Sequence, residues 1–363
     1  LIELVDLVFR TSRGLPATMA QEFPLMLSPD NCGDLYIIRA DDRIVSHVGL
    51  YRQIMVCDGI EVPVACLGAV CTHPQYRGRG LAGQLTDLAI ERARQKGCLL
   101  MPISGSRSLY TRRGACTISP TYQLAINAEH LQPAEASRFT TGPYRQPDLP
   151  ELLALQRQQR VRYRWQGPEV PILLRAHLEL GCSAWTARDA AGALAGFLLV
   201  RHAGPMAGRD RSTASVVLHL GRPETLPSLA ATALQKLSLS ALLFTALPGE
   251  DQLLAALRTV GAQPDLGSSG WTVKILDLAG LVERFKDRFA RVGELSIRVE
   301  ADTLVIGLDG QDVALADQRQ VCAALFNGPS AWPPMLKLLS AEQQRWLRQV
   351  LPLPVANYGV NFI

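Results

Sequence analysis

Paired cysteines are missing from this chain. Its eight cysteines (Cys32, Cys57, Cys66, Cys71, Cys98, Cys116, Cys182 and Cys322) include no Cys-x-x-Cys pair, and several stand in apolar runs. Such spacings do not suggest a disulfide framework; they suggest buried, reduced thiols in a cytoplasmic protein. Histidine is scarce. His47, His130, His177, His202 and His219 show no metal-ligand spacing, so they read as isolated surface or core residues and no metal is expected. No apolar run reaches about 20 uninterrupted residues, which excludes a membrane-spanning helix. The opening residues carry no signal-peptide pattern, and Leu1 in place of Met points to a trimmed or processed start. A dominant charge is lacking too: 37 Lys and Arg against 33 Asp and Glu leave a net +4. With no aromatic-interleaved basic patch and no DNA-binding motif, that balance argues against a nucleic-acid partner. Arg157, Arg160, Arg162 and Arg164 fall within a stretch read as one helix, 148–165, where they suit a solvated face or an oligomer contact.

What the chain has is apolar material and length. Hydrophobic residues make up 48% of 363 positions, enough for two or three separate cores. From Leu35, "LYIIRADDRIVSHVGLYRQIMVCDGIEVPVACLGAV" reads as three strands, with turns at "ADD" (40–42) and "CDG" (57–59). The third run does not alternate, as expected of a strand buried on both faces. A helix follows from near Gly80, with Leu81, Leu85, Leu88 and Ala89 on one face and Gly97 as its stop. Then come a strand (98–104), a short helix (106–114), a strand pair (116–126) and a Pro/Thr/Ser/Gly-rich linker (132–150). A second series of strands and helices runs to 278. The last 85 or so residues hold a helix (280–290), a three-stranded meander (295–316) and a helix opened by Ser340 with Gln343, a capping box.

The stretch with the clearest chemistry is "CTHPQYRGRGLAGQL", Cys71 to Leu85. A loop entering a helix offers unpaired N–H groups and the positive end of the helix dipole. Glycines let an anion approach that backbone, and Arg77 and Arg79 can add charge-assisted bonds. The plainer alternative is a tight strand-to-helix turn with exposed arginines. An NTPase phosphate loop would need Gly-Lys-Ser/Thr, which is absent. Gly78, Gly80 and Gly83 fit dinucleotide-fingerprint spacing, but three strands precede the loop where that fold opens on its first.

"LGAVCTHPQYRGRGLAGQLTDLAIERA" resembles the acetyl-coenzyme A motif of the GNAT acetyltransferase superfamily, Arg/Gln-x-x-Gly-x-Gly/Ala, here Arg77, Gly80 and Ala82. The resemblance implies an acetyl-coenzyme A-dependent acyltransferase domain. Val70, Cys71 and Thr72 would present main-chain groups to the donor. Arg77, Gly78, Arg79, Gly80, Leu81, Ala82 and Gly83 would seat its pyrophosphate. Cys71 reads as a strand residue rather than a nucleophile. Many members place a glutamate on the preceding strand as base, but Pro63 to Thr72 holds no carboxylate and Glu61 lies at the far end.

The whole layout is similar to acetyltransferases of the enhanced-intracellular-survival type. That implies mixed α/β architecture: a GNAT domain (1–130), a degenerate second GNAT domain (131–278) and a sterol-carrier-like α+β domain (279–363). In that family a tyrosine protonates the coenzyme A thiolate, and the matching run Leu109–Ala115 makes Tyr110 the general acid. Arg113 and Ala115 replace an aromatic pair of the family pattern. Gly105 and Ser106 occupy a second coenzyme A contact. The family's terminal carboxylate acts as base, here that of Ile363 at the end of the apolar "NYGVNFI". The plainer readings are a packing tyrosine and an ordinary terminal strand. The resemblance implies a primary amine of a small molecule or peptide as acceptor, and a hexamer. The alternative function is an apolar-ligand or lipid carrier using the last domain.

Overall fold

The computed structural model describes residues 1–118, 121–131, 138–165, 167–204, 210–267, 270–290, 292 and 294–356. Two short helices, α1 (Ile2–Phe9) and α2 (Met19–Glu22), precede the first strand. Asp41 and Asp42 (φ 49° and 60°) turn β1 (Leu35–Ala40) into β2 (Arg43–Cys57). Asp58 and Gly59 (φ 52° and 86°) turn β2 into β3 (Ile60–Thr72). Left-handed pairs of this kind match the strand twist, and Asp and Gly tolerate them. The long helix α3 (Leu81–Gln95) then leads to β4 (Leu100–Ile103), the four-residue helix α4 (Ser108–Thr111) and β5 (Cys116–Thr117). On α3 the buried arc is Leu85, Thr86, Ala89, Ile90 and Ala93. Leu88, expected on that arc, is 43% exposed: the arc runs on to Ile90 and Ala93, leaving Leu88 on its flank.

The second group of elements is β6 (Thr121–Asn127), β7 (Thr140–Pro143), α5 (Leu149–Gln158), β8 (Val161–Tyr163), α6 (Glu169–Glu179), β9 (Cys182–Arg188) and β10 (Leu194–Arg201). It continues through β11 (Thr213–Gly221), α7 (Leu226–Leu237), β12 (Ala241–Ala246), α8 (Asp251–Arg258), β13 (Asp265–Gly267) and β14 (Thr272–Ile275). The single helix expected over 148–165 is therefore a helix and a strand. The pattern Val161-Arg-Tyr163-Arg-Trp165 alternates with period two, and Tyr163 is buried while Arg164 meets Glu61 at 2.7 Å. Of the four arginines placed on one helix, only Arg157 is helical.

The sheets do not follow chain order. The first runs β1-β2-β3-β4-β14-β5, with β8 also on β2; the second runs β13-β6-β12-β11-β10-β9-β7. Strand β6, next in sequence after β5, joins the second sheet. Strand β14 returns to the first, antiparallel to β4 on one side and β5 on the other. All four of its residues are buried.

The last unit is α9 (Leu278–Phe289), a meander of β15 (Leu295–Glu300), β16 (Thr303–Leu308) and β17 (Gln311–Leu315), then α10 (Gln318–Phe326), α11 (Pro334–Lys337) and α12 (Ala341–Val350). The Ser340–Gln343 capping box forms at the start of α12. This unit shares one apolar core with the first sheet, in which Leu4, Phe23, Val62 and Cys66 join Phe285, Leu304, Leu325 and Trp332. Each large side chain so buried contributes roughly 1.5–3 kcal/mol. Among the described residues no helix is long and apolar enough to cross a membrane.

One carboxylate ties the three units together. Asp58 accepts from Arg160 Nε at 2.7 Å and from Arg288 Nη1 at 2.6 Å, and its own N–H donates to the Arg160 carbonyl at 2.8 Å. Partial burial pushes the Asp58 carboxyl up, but the two guanidiniums outweigh it and hold it below the usual carboxylate range. Its stabilisation is therefore complete above the unfolded value of about 3.9 and fades as pH falls through the lower folded value. Asp58→Ala should lower the unfolding free energy at pH 7 by about 1–2 kcal/mol, between exposed and buried pairs. Urea titration checks this; equal midpoints for variant and parent would show that the bridge contributes nothing.

Candidate active site

Strands β3 and β4 run parallel only from Val64/Leu100 to Leu67/Ile103. There β4 stops, while β3 continues through Gly68 to Thr72. Among the described residues that stretch has no strand partner on the β4 side, so its main-chain polar groups face an opening. A sheet edge of this kind needs partners.

On its other side β3 stays paired, through a bulge. His47 pairs with Cys71 and Gly49 with Gly68, so Ala69 and Val70 together oppose Val48. Ala69 has φ 51°, a conformation that costs a non-glycine residue roughly 1–2 kcal/mol. Two side chains of β2 hold it. His47 Nδ1 lies 2.9 Å from the Ala69 carbonyl oxygen. Ser46 Oγ donates to the Cys71 carbonyl at 3.1 Å and lies 2.9 Å from Thr72 Oγ1. His47 is wholly buried, and its Nε2 has no hydrogen-bond partner among the described residues. Burial lowers its imidazole to about 4, so the ring is neutral at pH 7. Sequence reading set His47 aside as isolated; only the bulge register brings it to the site.

Beyond Thr72 the chain makes a 3-10 turn, Pro74–Tyr76, capped by the His73 side chain. The Tyr76 hydroxyl donates to Asp41, and the Arg79 guanidinium stacks 4.9 Å over the Tyr76 ring. Arg77 Nε reaches back to the Thr72 carbonyl at 3.3 Å. Gly78 and Gly80 both take left-handed φ, 78° and 75°, with open space where a Cβ would point. Backbone conformation, not crowding, calls for glycine at both. Gly80 caps the N-terminus of α3, whose first turn carries no acidic residue. The N–H groups of Leu81, Ala82 and Gly83 stand in that turn, at the positive end of the dipole. Gly83 answers a different need: a Cβ there would meet Arg113 Nη2 at 2.9 Å.

The opposite wall follows β4. Gly105 and Ser106 lead into α4, which carries Tyr110. Tyr110 is buried in the same apolar cluster as Met101 and Ile103, with Val70 packed against it. The position of a Cβ on Gly105 would lie 3.8 Å from the Tyr110 ring. Burial raises the Tyr110 phenol above its ordinary value, against the pull of Arg107, so it is a protonated acid at neutral pH. Arg113 forms a bidentate pair with Asp87 of α3, at 2.6 and 2.8 Å, and donates to the Leu109 carbonyl at 2.9 Å. This links the two walls, and nothing in the spacing of these residues foretold it.

Of the residues expected at the site, Val70 packs on the cluster that holds Tyr110, Gly105 lies beside the Tyr110 ring, and the Arg77–Gly83 loop leads into α3, which Arg113 ties to the Tyr110 turn. Ile363 lies outside the described residues. The last described residues run along the first sheet: the Cys57 thiol faces the Pro354 carbonyl at 3.2 Å, and the Ala356 N–H meets Met55 Sδ at 3.3 Å. The buried carboxylate of Glu22 is not a free base, because Arg10 and Thr18 bind it.

Residues 1–118 match the acetyltransferase (GNAT) domain family. The chain is also similar in fold to three solved structures. A GCN5-related N-acetyltransferase from Anabaena variabilis is 13% identical with TM-score 0.65, over 99% of this chain and 95% of that one. One from Kribbella flavida is 16% identical with TM-score 0.60, over 96% and 95%. Eis1 from Mycobacterium abscessus is 11% identical with TM-score 0.58, over 92% and 93%. No curated protein matches the sequence. The architecture is thus tandem GNAT folds with an additional α+β unit.

Cys71 is 4% exposed, and burial pushes its thiol up to about 12. A thiol so protonated is a poor nucleophile. Under native conditions iodoacetamide should modify the exposed Cys32 and leave Cys71 untouched, as peptide mass spectrometry will show. Labelling of Cys71 at the rate of Cys32 would restore it as a candidate nucleophile.

Proposed function

We propose that this protein is an acetyl-coenzyme A-dependent N-acetyltransferase acting on a primary amine of a small molecule or peptide. The observation that carries the reading is the opening between β3 and β4 beside the glycine-arginine loop, within the stretch that matches the acetyltransferase domain. The residues fit the donor on two counts. The unpaired edge Gly68–Thr72 suits an extended, amide-bearing arm. The left-handed Gly78 and Gly80 leave room at a helix start without acidic side chains, which suits a diphosphate. Arg77 and Arg79 supply countercharge at its rim.

In the proposed reaction the amine nitrogen bonds to the thioester carbonyl carbon, and the carbon–sulfur bond breaks. Main-chain N–H groups at the end of β3 stabilise the carbonyl oxygen as it gains charge. Tyr110 gives its phenolic proton to the departing thiolate. The amine must lose a proton, and the carboxylate of Ile363 takes it. We also read residues 279–363 as a sterol-carrier-like unit, from the order helix, meander, helix.

Thiol release from acetyl-coenzyme A, with polyamines, aminoglycosides and lysine peptides as acceptors, tests the reading. Turnover with at least one acceptor class is expected; no turnover together with no donor binding by calorimetry overturns it. Tyr110→Phe should lower kcat about 100-fold with donor affinity held within about threefold. Deletion of Phe362 and Ile363 should also abolish most turnover while leaving donor binding intact. A deletion variant that turns over normally would remove the terminal carboxylate as base and leave the cofactor seat standing.

A further inference from the structure

We propose that His47 is a positioning residue: its Nδ1–H clamps the Ala69 carbonyl and so holds the β3 bulge in the shape that aims the strand's end at the donor. The inference rests on the acyl-transfer reading above only for the word donor; the clamp itself stands on geometry.

Four observations converge on it. The bulge lies where β3 loses β4 and bends away from it, so its shape sets the direction of Val70 to Thr72. Ala69 is the one residue of that stretch in the left-handed region, and a non-glycine residue stays there only when its surroundings hold it. The 2.9 Å contact from His47 Nδ1 to the Ala69 oxygen supplies that hold. A carbonyl can only accept, so Nδ1 carries the proton and Nε2 is left as a bare lone pair. Finally, space is reserved for the ring. A Cβ on Gly49 would lie 3.3 Å from His47 Cε1 and 3.0 Å from Met26 Sδ, so glycine at 49 is what lets imidazole and thioether lie across the strand.

Ser46 performs the neighbouring task on the same strand, donating to the Cys71 carbonyl. Consecutive side chains of β2 thus take alternate carbonyls of β3, those of Ala69 and Cys71. The direction of the peptide units between them is fixed from the paired side. The open side is left free for a ligand. A buried histidine with one nitrogen committed and the other unpaired is costly for packing alone. Its Nδ1–H is what an apolar residue of the same size could not replace.

Two substitutions separate the nitrogens. Asparagine places an amide N–H near the position of Nδ1, and glutamine places one near Nε2. His47→Gln should lower kcat about 30-fold with the donor dissociation constant within about threefold. His47→Asn should recover most of that loss. Amide exchange across the 66–73 peptide should quicken in His47→Gln and stay near parental in His47→Asn. In the parent protein, nitrogen-15 spectra of the imidazole should show the neutral Nδ1–H tautomer between pH 6 and 8. The Nε2–H tautomer, an active His47→Gln with an inactive His47→Asn, or equal exchange in all three proteins would each overturn the clamp. The tautomer and exchange readings need no turnover. They therefore decide the clamp even if the acyl-transfer reading fails, and normal turnover beside a wrong tautomer condemns the clamp alone.

Discussion

The insertion of β14 between β4 and β5 is the constraint on which the rest depends. Without it the first sheet would end at β4, a four-residue strand with an open edge and the candidate acid just beyond it. With it, the turn bearing Tyr110 is pinned at both ends from one strand. Thr272 Oγ1 donates to the Gly105 carbonyl at 2.9 Å, before α4. Lys274 Nζ donates to the Arg113 carbonyl, after it. Lys274 is 5% exposed, and burial followed by repulsion from Arg94 lowers its ammonium below the usual lysine range. Its second acceptor, Gln318 Oε1 at 3.3 Å, belongs to α10. The position of Tyr110 therefore depends on residues from all three units, and a fragment ending near residue 118 would lack both pins.

The second sheet offers a comparison for the glycine-arginine turn of the first. It repeats the unit of strand, 3-10 turn, helix and parallel strand: β11, Pro223–Thr225, α7 and β12. Here too the parallel pairing is brief, Thr213–Ser215 against Ala241–Leu243, and β11 runs on to Gly221 paired on its other side with β10. The turn differs. Where the first unit has two left-handed glycines and two arginines, the second has Arg222-Pro-Glu-Thr225 leading straight into Leu226 and Pro227. Glu224 places negative charge at the helix start, and Pro227 removes one of its N–H groups. Thr225 is wholly buried, and its side chain fills the space that Gly196 leaves by lacking a Cβ. The backbone shape survives, and the features that would attract a diphosphate do not.

Local chemistry made the first third of the chain legible. Asp-Gly and Asp-Asp turns, a non-alternating buried run and a glycine-arginine loop each impose structure on the residues that carry them. The second unit was legible only as a further series of strands and helices running to 278. Their partners were not. Nothing in "TYQLAIN" says that it will pair with Ala241–Ala246, and nothing in "TVKI" says that it will enter the first sheet. Strand exchange is decided by which sheet edge is open, which no window of sequence contains. The helix drawn over 148–165 failed because the glutamine-rich middle let a helical period be extended across a period-two run. His47 was illegible because its role depends on a one-residue bulge in another strand.

Arg113 shows how a departure from the family pattern can be read. The family resemblance would place an aromatic residue there; the structure places a guanidinium bridging α4 to Asp87 of α3. Asp87 is 62% exposed on its side chain, so the pair lies in solvent and contributes little to stability. Its geometry matters more than its energy. Two parallel N–H bonds to one carboxylate fix distance and direction together. One end of the bridge is the helix whose first turn faces the proposed diphosphate. The other is the turn that holds Tyr110, through the Leu109 carbonyl. An aromatic residue would pack but could not fix both. A Cβ on Gly83 would lie 2.9 Å from the Arg113 guanidinium, so a glycine read as part of an anion seat also leaves room for this bridge.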